Sequence, residues 1–412
     1  MMSLNFDVLI KIIFVLLVNN IFSQKSEIPK NIKTILIKNS EFSGPFMDFN
    51  SLIELSFDDL DSDEKNYYYQ INHFDYDWNS SNISKSDFID GFDDLRIKEY
   101  RNSFNTLKSF THYKLKIPND EIKLKISGNY SLSIHLSNGE KVFEKRFSII
   151  KNEIPIQISI SKSNIISNIN TDQKISVNVN CVNCSKIFNS SSKLKLVIIK
   201  NNNWIKSQII ENPKYVFSDK LIYEDIYFKG GNEFLNFDNS NINSTNYRIY
   251  KSTLTELYNN FLVTDKERTN STYEYNPDIN GNYLINSNKN YDLDIENDYA
   301  RVYFNFKAEL YNSNKKIYLL GKFNDFMKDD NYELKYNFKT KSYNGSFLFK
   351  QGFYNYKYGF INSSNDNKIK NFDGDFWESE NEYKVLLFIK KINDRYFTII
   401  GSNSLTSLNI KN

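Results

Sequence analysis

The chain has 412 residues, a hydrophobic fraction of 40%, an aromatic fraction of 16% and a formal net charge of +2. A chain of this length exceeds one ordinary domain, and its apolar content is enough for two or three cores. The near-neutral balance excludes a polyanion-binding role built on net charge, so no nucleic acid is expected as a partner.

The opening segment carries a short apolar run over residues 12–18, followed by Ser23 and Gln24. That run is too short to span a bilayer, and a small residue behind it suits signal-peptide cleavage. A leader over residues 1–23 is therefore expected, with cleavage between Ser23 and Gln24. No later apolar run reaches spanning length, so the mature chain is expected to be exported and to have no membrane-spanning segment.

Residues 31–38 and 52–57 read as the first two strands. From residue 67 onward, Tyr67, Tyr69 and Ile71 alternate with Tyr68, Gln70 and Asn72, and residues 79–98 are polar and turn-rich. Residues 100–149 hold the clearest pattern. Ile122, Leu124 and Ile126 share one parity; Tyr130, Leu132, Ile134 and Leu136 resume it; Phe143, Phe147 and Ile149 follow Asn138-Gly139. A period of two sets one group of side chains on each face of a strand. Asn-Gly suits a type I′ turn with positive φ at both central residues. The expectation is an antiparallel meander with one apolar face, covered by a second sheet.

This gives a first domain over residues 28–152. Pro155 opens a middle β domain, residues 153–298, with Ile156, Ile158 and Ile160, then Ile175, Val177 and Val179, then Leu194, Leu196 and Ile198 on its strands, and Asn-rich loops after them. Residues 254–263 fit a short helix and a strand equally. A third sandwich spans residues 299–401, with a tail over 402–412. The fold class is all-β, with tandem immunoglobulin-like β-sandwich domains after a signal peptide.

Residue chemistry points to no active site. The sequence has no G-x-S-x-G, nucleotide-binding glycine loop or H-E-x-x-H. His73, Asp75 and Asp77 would share a strand face, which suits either a cation or an ordinary polar face. Cys181 and Cys184 form C-V-N-C, read as a local loop disulfide or two free thiols, because no βαβ setting for redox chemistry surrounds them. The pairs Asp58-Asp59, Asp93-Asp94 and Asp329-Asp330 are placed in solvated turns rather than across a cleft. G-K-F-N-D-F, residues 321–326, is similar to the opening of glycogen-binding sandwich modules, although Phe326 stands where those modules carry tryptophan. The plainer reading is a strand-turn with a buried aromatic.

Several segments together resemble the plug protein family of the type IX secretion system. They are L-S-F-D-D-L (55–60), N-H-F-D-Y-D-W-N-S-S (72–81), S-F-N-T (103–106), T-H-Y-K-L-K-I-P-N (111–119) and S-G-N-Y (127–130). Further along come F-K-G-G-N-E-F (228–234), G-K-F-N-D-F, K-Q-G-F-Y-N-Y-K-Y (350–358), W-E-S-E-N-E-Y (377–383) and Arg395-Tyr396. Their order extends over almost the whole mature chain; Leu235 departs from the Arg expected after N-E-F.

The resemblance implies a periplasmic, non-enzymatic protein without cofactors that binds the outer-membrane translocon and closes its periplasmic opening. The alternative is a periplasmic carbohydrate-binding β-sandwich protein, and more distantly a hydrolase. Exposure of Phe323, Phe326 and Trp377 on one flat face would favour sugar binding.

Overall fold

The computed structural model describes residues 28–39, 44–182, 184, 193–289, 291–308, 314–362 and 369–409; the expected leader, with Ser23 and Gln24, lies outside them. The described chain is nearly all β and sandwich-like, as its alternating pattern predicts. In Tyr67–Phe74 every second residue is buried, so one face of the strand makes core and the other meets solvent.

In the first sandwich, one sheet orders Ile32–Lys38, Ile53–Asp59, Thr111–Ile117 and Glu99–Asn102. The facing sheet orders Phe46–Asp48, Lys141–Ile150, Gly128–Leu136, Tyr67–Phe74 and Leu95–Arg96. Phe57 lies at the centre of the core, with the rings of Tyr67, Tyr113 and Phe143 each 5.1 Å away. The expected meander is divided. Thr111–Ile117 belongs to one sheet and the Gly128–Leu136 hairpin to the other, while Ile122–Leu124 pairs apart from both with Ile89–Gly91. Each run carries its own apolar face, and crossing the core lets the two faces cover each other. The turn at Asn138 also differs from expectation. Gly139 alone takes a left-handed conformation, at φ +83°, while the Asn138 side chain accepts from Glu140 N at 2.9 Å. Bonded this way, Asn138 keeps ordinary backbone angles and the glycine absorbs the bulge.

The second sandwich is built from two distant segments. One sheet orders Ile156–Lys162, Asp172–Asn180, Lys220–Lys229 and Tyr215–Val216. The facing sheet orders Asn203–Ile210, Lys193–Lys200, Glu382–Lys390 and Thr398–Thr406. The last two strands therefore leave the third unit and tail to which the sequence pattern assigns them. Their composition supplies the reason. Val385, Leu387 and Ile389 pack inward with Ile175, Val177 and Tyr223. Leu386 and Phe388, of opposite parity, join Val197 and Ile199 in a second apolar layer against Ile150 and Tyr76 of the first sandwich. A strand that is apolar on both faces needs cover on both faces, and only a central layer provides it.

The third unit is one continuous curled sheet, running from Leu235–Asp238 through Gly352–Asn362, Lys315–Leu320, Glu333–Asn337, Ser342–Lys350, Tyr299–Lys307 and Tyr258–Leu262 to Ile249–Leu254. Phe237, Phe304, Phe349, Tyr354 and Tyr356 fill its interior. Residues 249–262 form an antiparallel hairpin, which decides the open choice for 254–263 in favour of strand. The expected boundary at 298/299 thus falls inside this sheet, because Phe237, Ile249 and Leu262 on its near side are needed to fill the same core.

Candidate functional site

Two buried polar junctions join the three units, and five of the quoted motifs meet at them. At the first, Asp58 is fully buried near the end of Ile53–Asp59, not in a solvated turn. Its Oδ1 lies 2.6 Å from His112 Nδ1, and its Oδ2 accepts from Tyr299 Oη at 2.7 Å and Lys350 Nζ at 2.8 Å. Burial alone pushes the Asp58 carboxyl up, but Lys350 and His112 outweigh it and hold the group below the usual carboxylate range. Lys350 Nζ also donates to Asp294 O at 2.6 Å and lies 4.2 Å from the Phe110 ring centre. Tyr299 Oη is within 2.6 Å of Thr34 Oγ1. Thr34 sits in a bulge of the first strand at φ +51°, a strained conformation for a β-branched residue. The bulge turns that strand's polar groups toward the third unit: Ile35 O accepts from Tyr283 Oη at 3.0 Å.

Asp59 is equally buried. Its carboxylate takes Tyr67 Oη at 2.8 Å, Asn31 Nδ2 at 2.7 Å and Lys65 Nζ at 2.9 Å. Asp59, Asp61 and Asp63 are the one group of three possible metal ligands among the described residues, and Lys65 Nζ sits within 3.2 Å of all three. An ammonium thus stands where a cation would. His73, Asp75 and Asp77 do not converge, because the strand stops at Phe74. His73 Nδ1 is within 2.8 Å of Ser81 Oγ, and Asp77 receives Asn79.

At the second junction the buried amide of Gln173 donates to Trp377 O at 2.7 Å and Ser379 O at 2.8 Å, and accepts from Tyr383 Oη at 2.6 Å. Asn381 Nδ2 bonds Gly230 O at 2.9 Å, and Phe376 N bonds Gly231 O at 2.8 Å. F-K-G-G-N-E-F and W-E-S-E-N-E-Y are therefore two halves of one contact. Ser407, in the expected tail, is buried here and donates to Ser379 O at 2.9 Å.

G-K-F-N-D-F lies where all three units meet. Asn324 Nδ2 ties the turn to Leu319 O at 2.9 Å. Asp325 pairs with Lys145 of the first sandwich at 2.8 Å, and Lys322 reaches Asn202 O of the second at 3.4 Å. The three aromatic residues proposed for sugar stacking have different surroundings. Phe323 packs inward on Tyr332 and Phe349, Phe326 lies against Phe234, and Trp377 sits under Lys162.

Beside this turn, a cleft of about 900 Å³ opens between the second and third units, with Lys200, Lys206, Lys229, Lys328, Lys357 and Lys370 on its walls. Cys181 and Cys184 are joined by a disulfide away from it. Among the described residues no helix is long and apolar enough to cross a membrane.

The architecture is that of an all-β, sandwich-like protein whose buried polar residues at these junctions lock its units together. Residues 32–151, the first sandwich, match the Type 9 secretion system plug protein 1st domain. The chain thus carries the first domain of the type IX secretion system plug family, the family its motifs resemble. A crystal structure of a hypothetical protein from Parabacteroides merdae is similar over 92% of this chain and 98% of its own, with a TM-score of 0.84 and 26% identity. No functionally curated protein matches.

Sequence reasoning missed the burial of Asp58, Asp59 and Lys350. The available signal was the alternation through Ile53, Leu55 and Phe57, which continues the strand into the acidic pair. Nothing local joins Asp58 to a lysine near residue 350, since pairing at that separation is a property of the fold.

Proposed function

We propose that this protein is exported by its leader to the periplasm, binds the outer-membrane translocon of the type IX secretion system and closes its periplasmic opening without catalysing a reaction. The match of the first sandwich to the plug family carries this reading. The junctions support it. A body that closes a wide opening must resist bending, and flexible links between domains are the default when interfaces are small and polar. Here Asp58 and Lys350 join the first and third units, Gln173 and Asn381 tie the second sandwich to the segment leaving the third, and an apolar layer joins first and second. Sugar binding is not favoured, because Phe323, Phe326 and Trp377 form no common platform.

Affinity purification of the translocon from the native host tests the reading. The protein should co-purify, and its deletion should admit large solutes through the outer membrane only in cells that retain the translocon. Unchanged permeability together with absence from the purified translocon would refute it.

A further inference from the structure

The lysine-lined cleft has a charge arrangement that its own residues leave unbalanced. Lys200, 6% exposed, donates to Lys229 O at 2.6 Å and Gly230 O at 2.5 Å. Lys357 donates to Asn232 O at 2.5 Å and lies 4.1 Å from the Phe234 ring centre. Both amines border the same open spot. A β-carbon placed on Gly231 would lie 3.6 Å from Lys200 Nζ and 3.9 Å from Lys357 Nζ. Burial pushes Lys357 down to about 8 and Lys200 well below the usual lysine range, with repulsion from neighbouring lysines adding to both.

The nearby carboxylates offset this charge only in part: Asp375 is on the cleft wall and acts on Lys200 and Lys206, and the others are shared with groups outside the cleft. Asp373 pairs with Arg268 at 2.6 Å and is 3.9 Å from Lys357. Asp172 pairs with Lys229 at 2.8 Å, and Glu233 accepts Tyr273 Oη at 2.6 Å. Two desolvated amines side by side are costly to keep charged unless an anion bridges them. The space is also too large for a single small anion. Phe234, Phe326 and Leu320 form an apolar wall, and strands Asn203–Ile210 and Lys220–Lys229, from the two facing sheets of the second sandwich, each line the cleft. Lys206 and Lys328 extend the positive charge along the rim.

We propose that this cleft takes an extended acidic peptide segment of a partner protein, with a carboxylate between Lys200 and Lys357 beside Gly231 and apolar side chains against Phe234 and Phe326. Charge complementarity selects acidic over neutral segments, and the volume of the cleft with its cationic and apolar lining selects a peptide over a free anion. The inference goes beyond the plug reading and does not depend on the translocon.

Fluorescence anisotropy with the purified protein tests it. The probe is a fluorescein-labelled peptide alternating Glu with Leu and Phe, compared with its Gln counterpart. The Glu peptide should bind at least about tenfold more tightly, and its affinity should fall as salt rises. Lys357→Met should abolish binding. Lys206→Glu with Lys328→Glu, both on the accessible rim, should weaken it by about tenfold or more while leaving the unfolding midpoint unchanged. Equal binding of the two peptides, no binding at millimolar peptide, saturation by inorganic phosphate alone, or binding of phosphatidylglycerol vesicles that the peptide cannot displace would each overturn the proposal.

Discussion

Lys350 donates to Asp58 at 2.8 Å across 292 positions of sequence, with the lysine side chain 1% and the aspartate side chain 0% exposed. The pair joins the first sandwich to the curled third sheet, so the junction depends on both charges being present. Removing one partner of a buried pair leaves the other uncompensated, whereas removing both can be nearly neutral. Lys350→Met and Asp58→Asn are each expected to destabilise the protein by about 3–5 kcal/mol. The double variant should cost less than the sum. Urea denaturation of all four proteins gives the coupling energy, and additive losses would show that the pair does not act as a unit.

His73 gives a pH dependence of defined sign. Its ring is buried under Tyr130, Phe88 and Tyr396, and burial pushes it from 6.5 down to about 4. The unfolded chain then binds a proton that the folded chain refuses. The contribution is whole above about pH 6.5, shrinks as pH falls toward 4 and is lost below it, amounting to about 3 kcal/mol. Thermal unfolding between pH 7 and 4 should show the decline, and His73→Gln should flatten it. An unchanged slope in the variant would assign the acid sensitivity to other groups.

Gly230 tests the second junction. A β-carbon there would fall 1.8 Å from Phe376 O, a backbone atom that cannot swing aside. Its φ is outside the left-handed region, so the constraint is space and not backbone conformation. Gly230→Ala should force apart the contact between F-K-G-G-N-E-F and W-E-S-E-N-E-Y and destabilise the protein by about 1–3 kcal/mol, as overpacking does. Limited proteolysis should then cut between the second and third units faster than in the parent. An unaltered rate would mean that the contact is not what holds these units.

Strand content was legible from period-two alternation in Tyr67–Phe74, where one face is core and the other is partly exposed, and in Gly128–Leu136, where the alternating Asn129, Ser131 and Ser133 are buried as well. Two-sided burial is also written in the sequence, as the unbroken run Val385-Leu386-Leu387-Phe388-Ile389, which carries no alternation to separate one face from the other. Sheet membership was not legible. Glu382–Lys390 and Ser342–Lys350 are both nine-residue strands of the same carboxy-terminal region, yet one completes the second sandwich and the other the third sheet. Which partner a strand finds depends on cores assembled from distant segments. The same limit hid the junctions: Asp58, His112 and Lys350 each look like a polar residue on a strand until the fold brings them together.

That assembly leads to a prediction about fragments. Residues 153–298 look in sequence like a free-standing domain, and one of their sheets is complete. The facing sheet has only Asn203–Ile210 and Lys193–Lys200 until Glu382–Lys390 and Thr398–Thr406 are added. Tyr383, Val385, Leu387, Ile389 and Ile400 then close the core over Ile175, Val177 and Tyr223. Each of these large side chains contributes roughly 1.5–3 kcal/mol when buried, a sum comparable to the whole stability of a typical domain. A chain ending at residue 381 should therefore lose cooperative folding of the second sandwich, and it should also uncover Ile150 and Tyr76 of the first. The first sandwich carries its own core between two complete sheets and should survive. Hydrogen exchange of the truncated protein should show protection retained in Ile53–Asp59 and Gly128–Leu136 and lost in Asp172–Asn180 and Lys193–Lys200. Supplying residues 382–409 as a separate peptide should restore that protection, since the hairpin brings its own strand pairing and apolar faces. Protection in Asp172–Asn180 that persists without the hairpin would show that the second sandwich folds without its carboxy-terminal strands.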